Sequence, residues 1–267
     1  MIKIIFSDMD GTLLTSENKL PEGFDEMIAE LKSRNVIFAP ASGRQYASLL
    51  NSFEKYRDDF LFVAEGGTLV MYRGEEIFSH TMEIETVKKV LATAATFDDI
   101  MCVWCGKKDA YILRDFDKPR YTDDMDKYYT HRIPVDSWDE VDDTPIKIAL
   151  YDPTGNAGKN IYDKLAAFYD SLQVVQTIDW WVDVSSPGAN KGEAVEHVQQ
   201  ALNILPEECA AFGDYMNDCE MLQAVGYGFA MANAHPDLKK FAKFETLSCD
   251  QSGVLVGIRK LMNDGLI

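Results

Sequence analysis

Short apolar runs alternate with amphipathic stretches along the first third of the chain: "KIIFSD", "GFDEMIAELKSRN", "VIFAPASGR", "QYASLLNSF" and "FLFVAEGG". Apolar runs this short, bounded by turn residues, read as strands buried on both faces. Strands separated by helical patterns pair in parallel through crossover helices. The alternation therefore predicts an α/β fold with a doubly wound, Rossmann-like parallel sheet. "TLVMYRGEEIF" then reads as a β-hairpin turning at Arg73-Gly74.

The middle of the chain departs from this pattern. Between about 83 and 187 the expected order is helix ("ETVKKVLATAATF"), hairpin ("IMCVWCGKKDAYILR"), a loop rich in Tyr and Asp, strand ("IKIALY"), helix ("GKNIYDKLAAFYDSL") and two more strands ("QVVQTI", "WWVDVSS"). Such a mixture predicts an inserted α+β domain over 83–187. After Pro187 the first style returns, with "KGEAVEHVQQALNI" as helix, "CAAFG" as strand, "CEMLQAV" as helix, "YGFAMA" as strand and "HPDLKKFA" as a helix begun by Pro236. The core domain is then discontinuous, 1–82 plus 188–267.

Lys and Arg total 26 against 44 Asp and Glu, a formal net charge of −18. That balance argues against a nucleic acid or an anionic membrane as partner, so any anionic substrate must be attracted locally. The apolar start reaches Asp8 too early for a signal peptide, and no run approaches the length of a membrane span. A cytoplasmic protein, monomeric or weakly self-associating, is expected. The five scattered cysteines suit a reducing compartment. "CVWC" at 102–105 lies in a strand pattern, which favours two structural cysteines over a redox or zinc motif.

Functional groups of a parallel sheet collect at the carboxyl ends of its strands. Asp8 ends the first run, and if extended backbone persists to Asp10 both side chains lean to one side. Two close carboxylates share a cation or differ in protonation, and Mg²⁺, which favours one or two carboxylates plus a phosphate, fits the pair. "APASGR" adds a hydroxyl, an approachable amide and a cation at Ser42, Gly43 and Arg44, a set suited to phosphate. Lys191 starts a helix, where the dipole disfavours a cation unless an anion is bound. "FGDYMND" brings Asp214 and Asp218 to a further strand end.

Taken together, "DMDGT" at 8–12, "SGR" at 42–44, Lys191 and "GDYMNDCEM" at 213–221 resemble the four ordered motifs of the haloacid dehalogenase (HAD) superfamily. The insert resembles the large α+β cap of its Cof-type (class IIB cap) phosphatases. The resemblance spans nearly the whole chain. It implies a HAD core with an inserted cap, and a Mg²⁺-dependent phosphatase working through an aspartyl phosphate on small phosphorylated metabolites such as sugar phosphates. Asp8 is then the nucleophile and Asp10 the general acid/base. The metal is held by Asp8, the Asp10 carbonyl and Asp214. Ser42, Gly43, Arg44, Lys191 and Asn217 face the phosphoryl group, and Asp218 supports Lys191 or metal-bound water.

Ser42 stands where threonine is commoner in the family. Glu65-Gly66-Gly67 replaces a usual Asn-Gly-Ala, so no ligand role passes to Glu65. Asn233, in "AMANA", matches a family asparagine near the ligand, although a turn or cap role is the more ordinary one. The cap of this family closes over the substrate and reads its leaving group. Trp104, Trp180, Trp181, Tyr121, Tyr128 and Tyr129 are candidates for that surface, weighed against a core role that aromatic residues more often have. The four histidines form no ligand-spaced pair. A phosphohexomutase of the same superfamily and a non-catalytic phosphometabolite-binding protein are the alternative functions.

Overall fold

The computed structural model describes residues 1–123 and 125–267; Asp124 of the Tyr- and Asp-rich loop lies outside them. In chain order the strands are β1 Ile4–Asp8, β2 Ile37–Ala41, β3 Leu61–Ala64, β4 Leu69–Tyr72, β5 Glu75–Ser79, β6 Met101–Gly106, β7 Ala110–Leu113, β8 Arg132–Val135, β9 Pro145–Tyr151, β10 Gln173–Ile178, β11 Trp181–Ser185, β12 Cys209–Gly213, β13 Tyr227–Ala230 and β14 Phe244–Glu245. They form an eight-stranded sheet, β14-β13-β12-β1-β2-β3-β4-β5, and a six-stranded sheet, β10-β11-β9-β6-β7-β8. Among the described residues no helix is long and apolar enough to cross a membrane.

The chain divides into two compact units, one of residues 1–42, 53–78 and 190–267, the other of 43–52 and 79–189. The sequence assigns 43–52 to the first domain because Tyr46–Ser52 has the look of one more crossover helix. In the structure it joins the second unit through polar contacts that carry no periodic signal: the Gln45 amide and the Ser48 hydroxyl both donate to the Tyr128 carbonyl, at 2.9 and 2.8 Å.

In the first unit, β1 is buried at all five positions, as a central parallel strand requires. It pairs in parallel with β2 and with β12. Helix Phe24–Ser33 buries Phe24, Met27, Ile28 and Leu31, an i, i+3, i+4, i+7 stripe. Phe24 meets Phe38 edge-on and Phe60 stacks on Tyr56, so aromatic rings close this side of the sheet. The expected hairpin is present: Arg73 (φ 55°) and Gly74 (φ 78°) form the turn between β4 and β5, both central residues having the positive φ such tight turns need.

In the second unit, alternation along the strands sorts the two faces of the sheet. Cys102, Trp104, Ile148, Leu150, Val182 and Val184 share a core with Val87, Val90 and Leu91 of helix Ile84–Ala94. The opposite face carries Lys147, whose ammonium pairs with Asp183 at 3.1 Å, beside the rings of Tyr129 and Trp181. Trp104, Trp181, Tyr121 and Tyr129 are buried, whereas Trp180 is exposed. Cys102 and Cys105 are buried thiols on one strand, three residues apart and on opposite faces, and burial pushes the Cys102 thiol up to about 12. Neither a disulfide nor a metal site can form from that pair.

Two expected helices differ. "GKNIYDKLAAFYDSL" gives only a short α-turn, Ala157–Asn160, and a 3₁₀ run, Tyr162–Phe168. Between them Ile161 leaves the helical region (φ −125°, ψ −65°), and the Asp152 carboxylate draws the Asn156 amide and the Asn160 side chain toward itself. "HPDLKKFA" gives a single 3₁₀ turn, Leu238–Lys240.

Candidate active site

Parallel pairing sets the site. Asp8 lies opposite Ala41, and Ser7 opposite Phe212, so the chain leaves β1, β2 and β12 at one edge of the sheet. The next residues there are Met9, Ser42 and Asp214. The extended backbone ends at Asp8, so the condition for Asp8 and Asp10 to lean to one side along a strand is not met. The chain turns at once, with the Leu14 amide donating to the Met9 carbonyl at 2.8 Å, and Asp10 forms an isolated bridge with Leu14.

Gly11 makes that turn possible. Its φ is +82°, and a β-carbon there would lie 2.3 Å from the Asp214 Oδ2. Thr12, next in the turn, donates its hydroxyl to Asp214 Oδ1 at 2.9 Å. Gly11→Ala should therefore displace the Asp214 carboxylate and lower stability by about 1 to 3 kcal/mol. Urea unfolding measures this, and an unchanged midpoint would mean that the loop accommodates the methyl group.

Lys191 is 1% exposed at the first position of helix Lys191–Leu202, whose start is capped by the Asn190 side chain accepting from the Glu193 amide at 2.9 Å. Its ammonium donates to Asp8 Oδ1 at 2.6 Å and to Asp218 Oδ1 at 2.7 Å. The second oxygen of Asp218 accepts the amides of Asp214 and Tyr215, at 3.0 and 3.3 Å. Gly213 leaves room for this carboxylate, since a β-carbon there would lie 2.5 Å from the Asp218 Cβ. A lysine at the positive end of a helix is thus offset by two buried carboxylates.

The charges are unevenly balanced. Burial pushes the Asp8 carboxyl well above the usual range; Lys191 opposes that shift, while Asp218 and Asp214 add to it. Asp214 is pushed up to about 6, chiefly by burial and by Asp218, with Thr12 and Lys191 opposing and Asp10 adding. Burial disfavours the Lys191 ammonium, yet Asp218 and Asp8 hold it above the ordinary lysine value. Oxygens of Asp8, Asp214 and Asp218 lie within 4.8 Å of one another. This is a hard-oxygen donor set with excess negative charge, and a divalent cation such as Mg²⁺ fits it. Lys191 and the loop amides occupy both Asp218 oxygens, so Asp8 and Asp214, each with a second oxygen, are the carboxylates suited to hold the ion.

The structure thus brings Asp8, Lys191, Asp214 and Asp218 together, with Asp10 within electrostatic reach of Asp214. Ser42 is buried at the end of β2, its amide donating to the Val63 carbonyl at 2.9 Å. Gly43 and Arg44 group with the second unit. Asn217 lies exposed in the turn Met216–Asp218. Two contacts were not anticipated from sequence. Thr12 orders Asp214 rather than merely following Gly11, and Asn233 donates to the Gly11 carbonyl at 2.8 Å. The only sequence cue to either was membership of a motif.

This arrangement agrees with what the chain is similar to. The family model described as haloacid dehalogenase-like hydrolase matches residues 5–258, and the chain belongs to that family. It is 30% identical over 272 residues, 98% of this chain and 96% of the other, to 5-amino-6-(5-phospho-D-ribitylamino)uracil phosphatase YbjI of Escherichia coli. It is 29% identical to the HMP-PP phosphatase of Klebsiella pneumoniae, covering 90% of this chain and 87% of that one. Among solved structures it shares the fold of the HAD subclass IIB sugar phosphatase BT4131, with a TM-score of 0.82 at 20% identity over 99% of this chain and 100% of that one.

Proposed function

We propose that this HAD-type phosphatase hydrolyses small phosphorylated metabolites, sugar phosphates among them, with Mg²⁺ and through an aspartyl phosphate on Asp8. The observation that carries the reading is the Lys191 ammonium shared by Asp8 and Asp218 beside Asp214. A carboxylate attacks a phosphate dianion poorly unless positive charge meets both, and the buried lysine supplies part of that charge. Mg²⁺ held by Asp8, the Asp10 backbone carbonyl and Asp214 would neutralise the remainder.

In this reading a carboxylate oxygen of Asp8 attacks phosphorus. Asp10 donates a proton to the departing alkoxide oxygen and later takes one from the water that hydrolyses the phosphoenzyme, a role typically worth about 10²–10⁴-fold. Ser42 and Lys191 bind phosphoryl oxygens, with the Gly43 amide and Arg44 following in the same turn and Asn217 contributing from the Asp214 loop. Asp218 acts through Lys191 by holding its ammonium in place.

The test is Mg²⁺-dependent phosphate release from an aryl phosphate and a panel of sugar phosphates. Release ranked in favour of sugar phosphates supports the proposal. No release from any substrate by folded, Mg²⁺-bound protein would overturn it.

A second expectation concerns pH. The Asp214 carboxyl in the metal-free fold titrates at about 6, above its unfolded value. Its contribution to stability is therefore full below the unfolded value near pH ~4 and is lost as pH rises through about 6. Mg²⁺ binds the ionised form, so the rise in Tm on adding Mg²⁺ should be larger at about pH 7.5 than at about pH 5. Equal rises at both values would count against Asp214 as a ligand.

A further inference from the structure

The segment 231–235, which follows β13, touches both loops that carry the site. The Met231 amide donates to the Gly213 carbonyl at 3.1 Å and the His235 amide to the Asp214 carbonyl at 2.8 Å, which fixes the fourth-motif loop. Between them the Asn233 side chain donates through Nδ2 to the Gly11 carbonyl at 2.8 Å and accepts through Oδ1 from the Cys249 amide at 2.9 Å. Chemistry settles the orientation of this side-chain amide, because a carbonyl can only accept and a backbone N–H can only donate.

These contacts close a ring. Asn233 holds Gly11, the α-carbon of Gly11 abuts the Asp214 carboxylate, Thr12 bonds that same carboxylate, and the Asp214 backbone returns through His235 to Asn233. Gly11 lies between Asp10 and Thr12, in a left-handed conformation that no helix or sheet ladder enforces. We infer that Asn233 is a positioning residue. By fixing the Gly11 peptide it sets the separation between the Asp8–Asp10 turn and Asp214, and with it the affinity for the divalent cation and the placement of Asp10. The inference rests on the reading of the site as a Mg²⁺-dependent phosphatase.

Comparing Asn233→Asp with Asn233→Ala tests it. The aspartate variant keeps an acceptor for the Cys249 amide but replaces the donor to Gly11 with an oxygen that repels the carbonyl. The alanine variant removes both bonds. Each is read by the calorimetric Kd for Mg²⁺, by kcat and KM on an aryl phosphate, and by the Tm of the metal-free protein.

Both variants are expected to bind Mg²⁺ more weakly and to lower kcat, each by about 10–100-fold, with little change in KM or metal-free Tm. A new carboxylate near the site would by charge alone tighten cation binding, so weakening in Asn233→Asp reports lost geometry. Wild-type behaviour of Asn233→Asp overturns the inference, whether or not Asn233→Ala is impaired, since the Gly11 bond would then be dispensable. If the wild type binds Mg²⁺ without turnover, the phosphatase reading fails while the Kd comparison still decides the role of Asn233. A wild type that binds no Mg²⁺ overturns both.

Discussion

Asp8→Asn should abolish steady-state phosphate release, by about 10⁴-fold or more, and leave the protein folded. The amide keeps the shape of the carboxylate but lacks the nucleophilic carboxylate oxygen that the proposed aspartyl phosphate requires. Stability should hardly suffer. Burial and the nearby charges of Asp218 and Asp214 disfavour the ionised form of Asp8, so a neutral group is tolerated at that position even though Lys191 loses one anionic partner. Phosphate release and a urea midpoint, measured on the same preparation, separate the two effects. Substantial turnover by the variant would show that Asp8 is not the nucleophile.

Lys191→Ala should fail in both respects. It leaves Asp8 and Asp218 buried at 7% and 0% exposure without the ammonium that bridges them. Removing one partner of a buried ion pair costs about 3–5 kcal/mol, mostly because a charge is left uncompensated. Turnover should disappear with the charge that meets the phosphoryl group. The double variant Asp8→Asn/Lys191→Met separates charge from packing. With one carboxylate neutralised and the volume filled, it should recover part of the lost stability and none of the activity. A Lys191→Ala protein as stable as the wild type would mean that water or another cation reaches these carboxylates.

The parts of this molecule that were legible in its sequence are those with a local signature. β1, β2, β3 and β12 announce themselves as short apolar runs, and the carboxylates and lysine sit at element ends where a sheet would gather them. Hidden parts depend on single contacts. Ile161 breaks a helix whose periodicity looks continuous, because Asp152 competes for its polar groups. The segment 43–52 joins the second unit on the strength of Gln45 and Ser48, whose partners lie some 80 residues away. Helix Gly253–Asn263 and the two-residue strand β14 carry no such signature: the glycines at 253 and 257 blur the first, and the second is too short to show a period. Asn233 is the functional counterpart. Its two bonds reach Gly11 and Cys249, and neither residue type advertises a partner.

The pairing of Asp8 with Lys191 also has a consequence in time. The two are 183 positions apart, so during synthesis Asp8 leaves the ribosome long before Lys191 exists. At about 5–20 residues per second that interval is roughly 10–40 s. Until it has elapsed, β1 lacks its neighbour β12 as well. A nascent chain of this protein therefore lacks the Asp8–Lys191 pair through most of its translation, and the completion of that pair marks the docking of its last third.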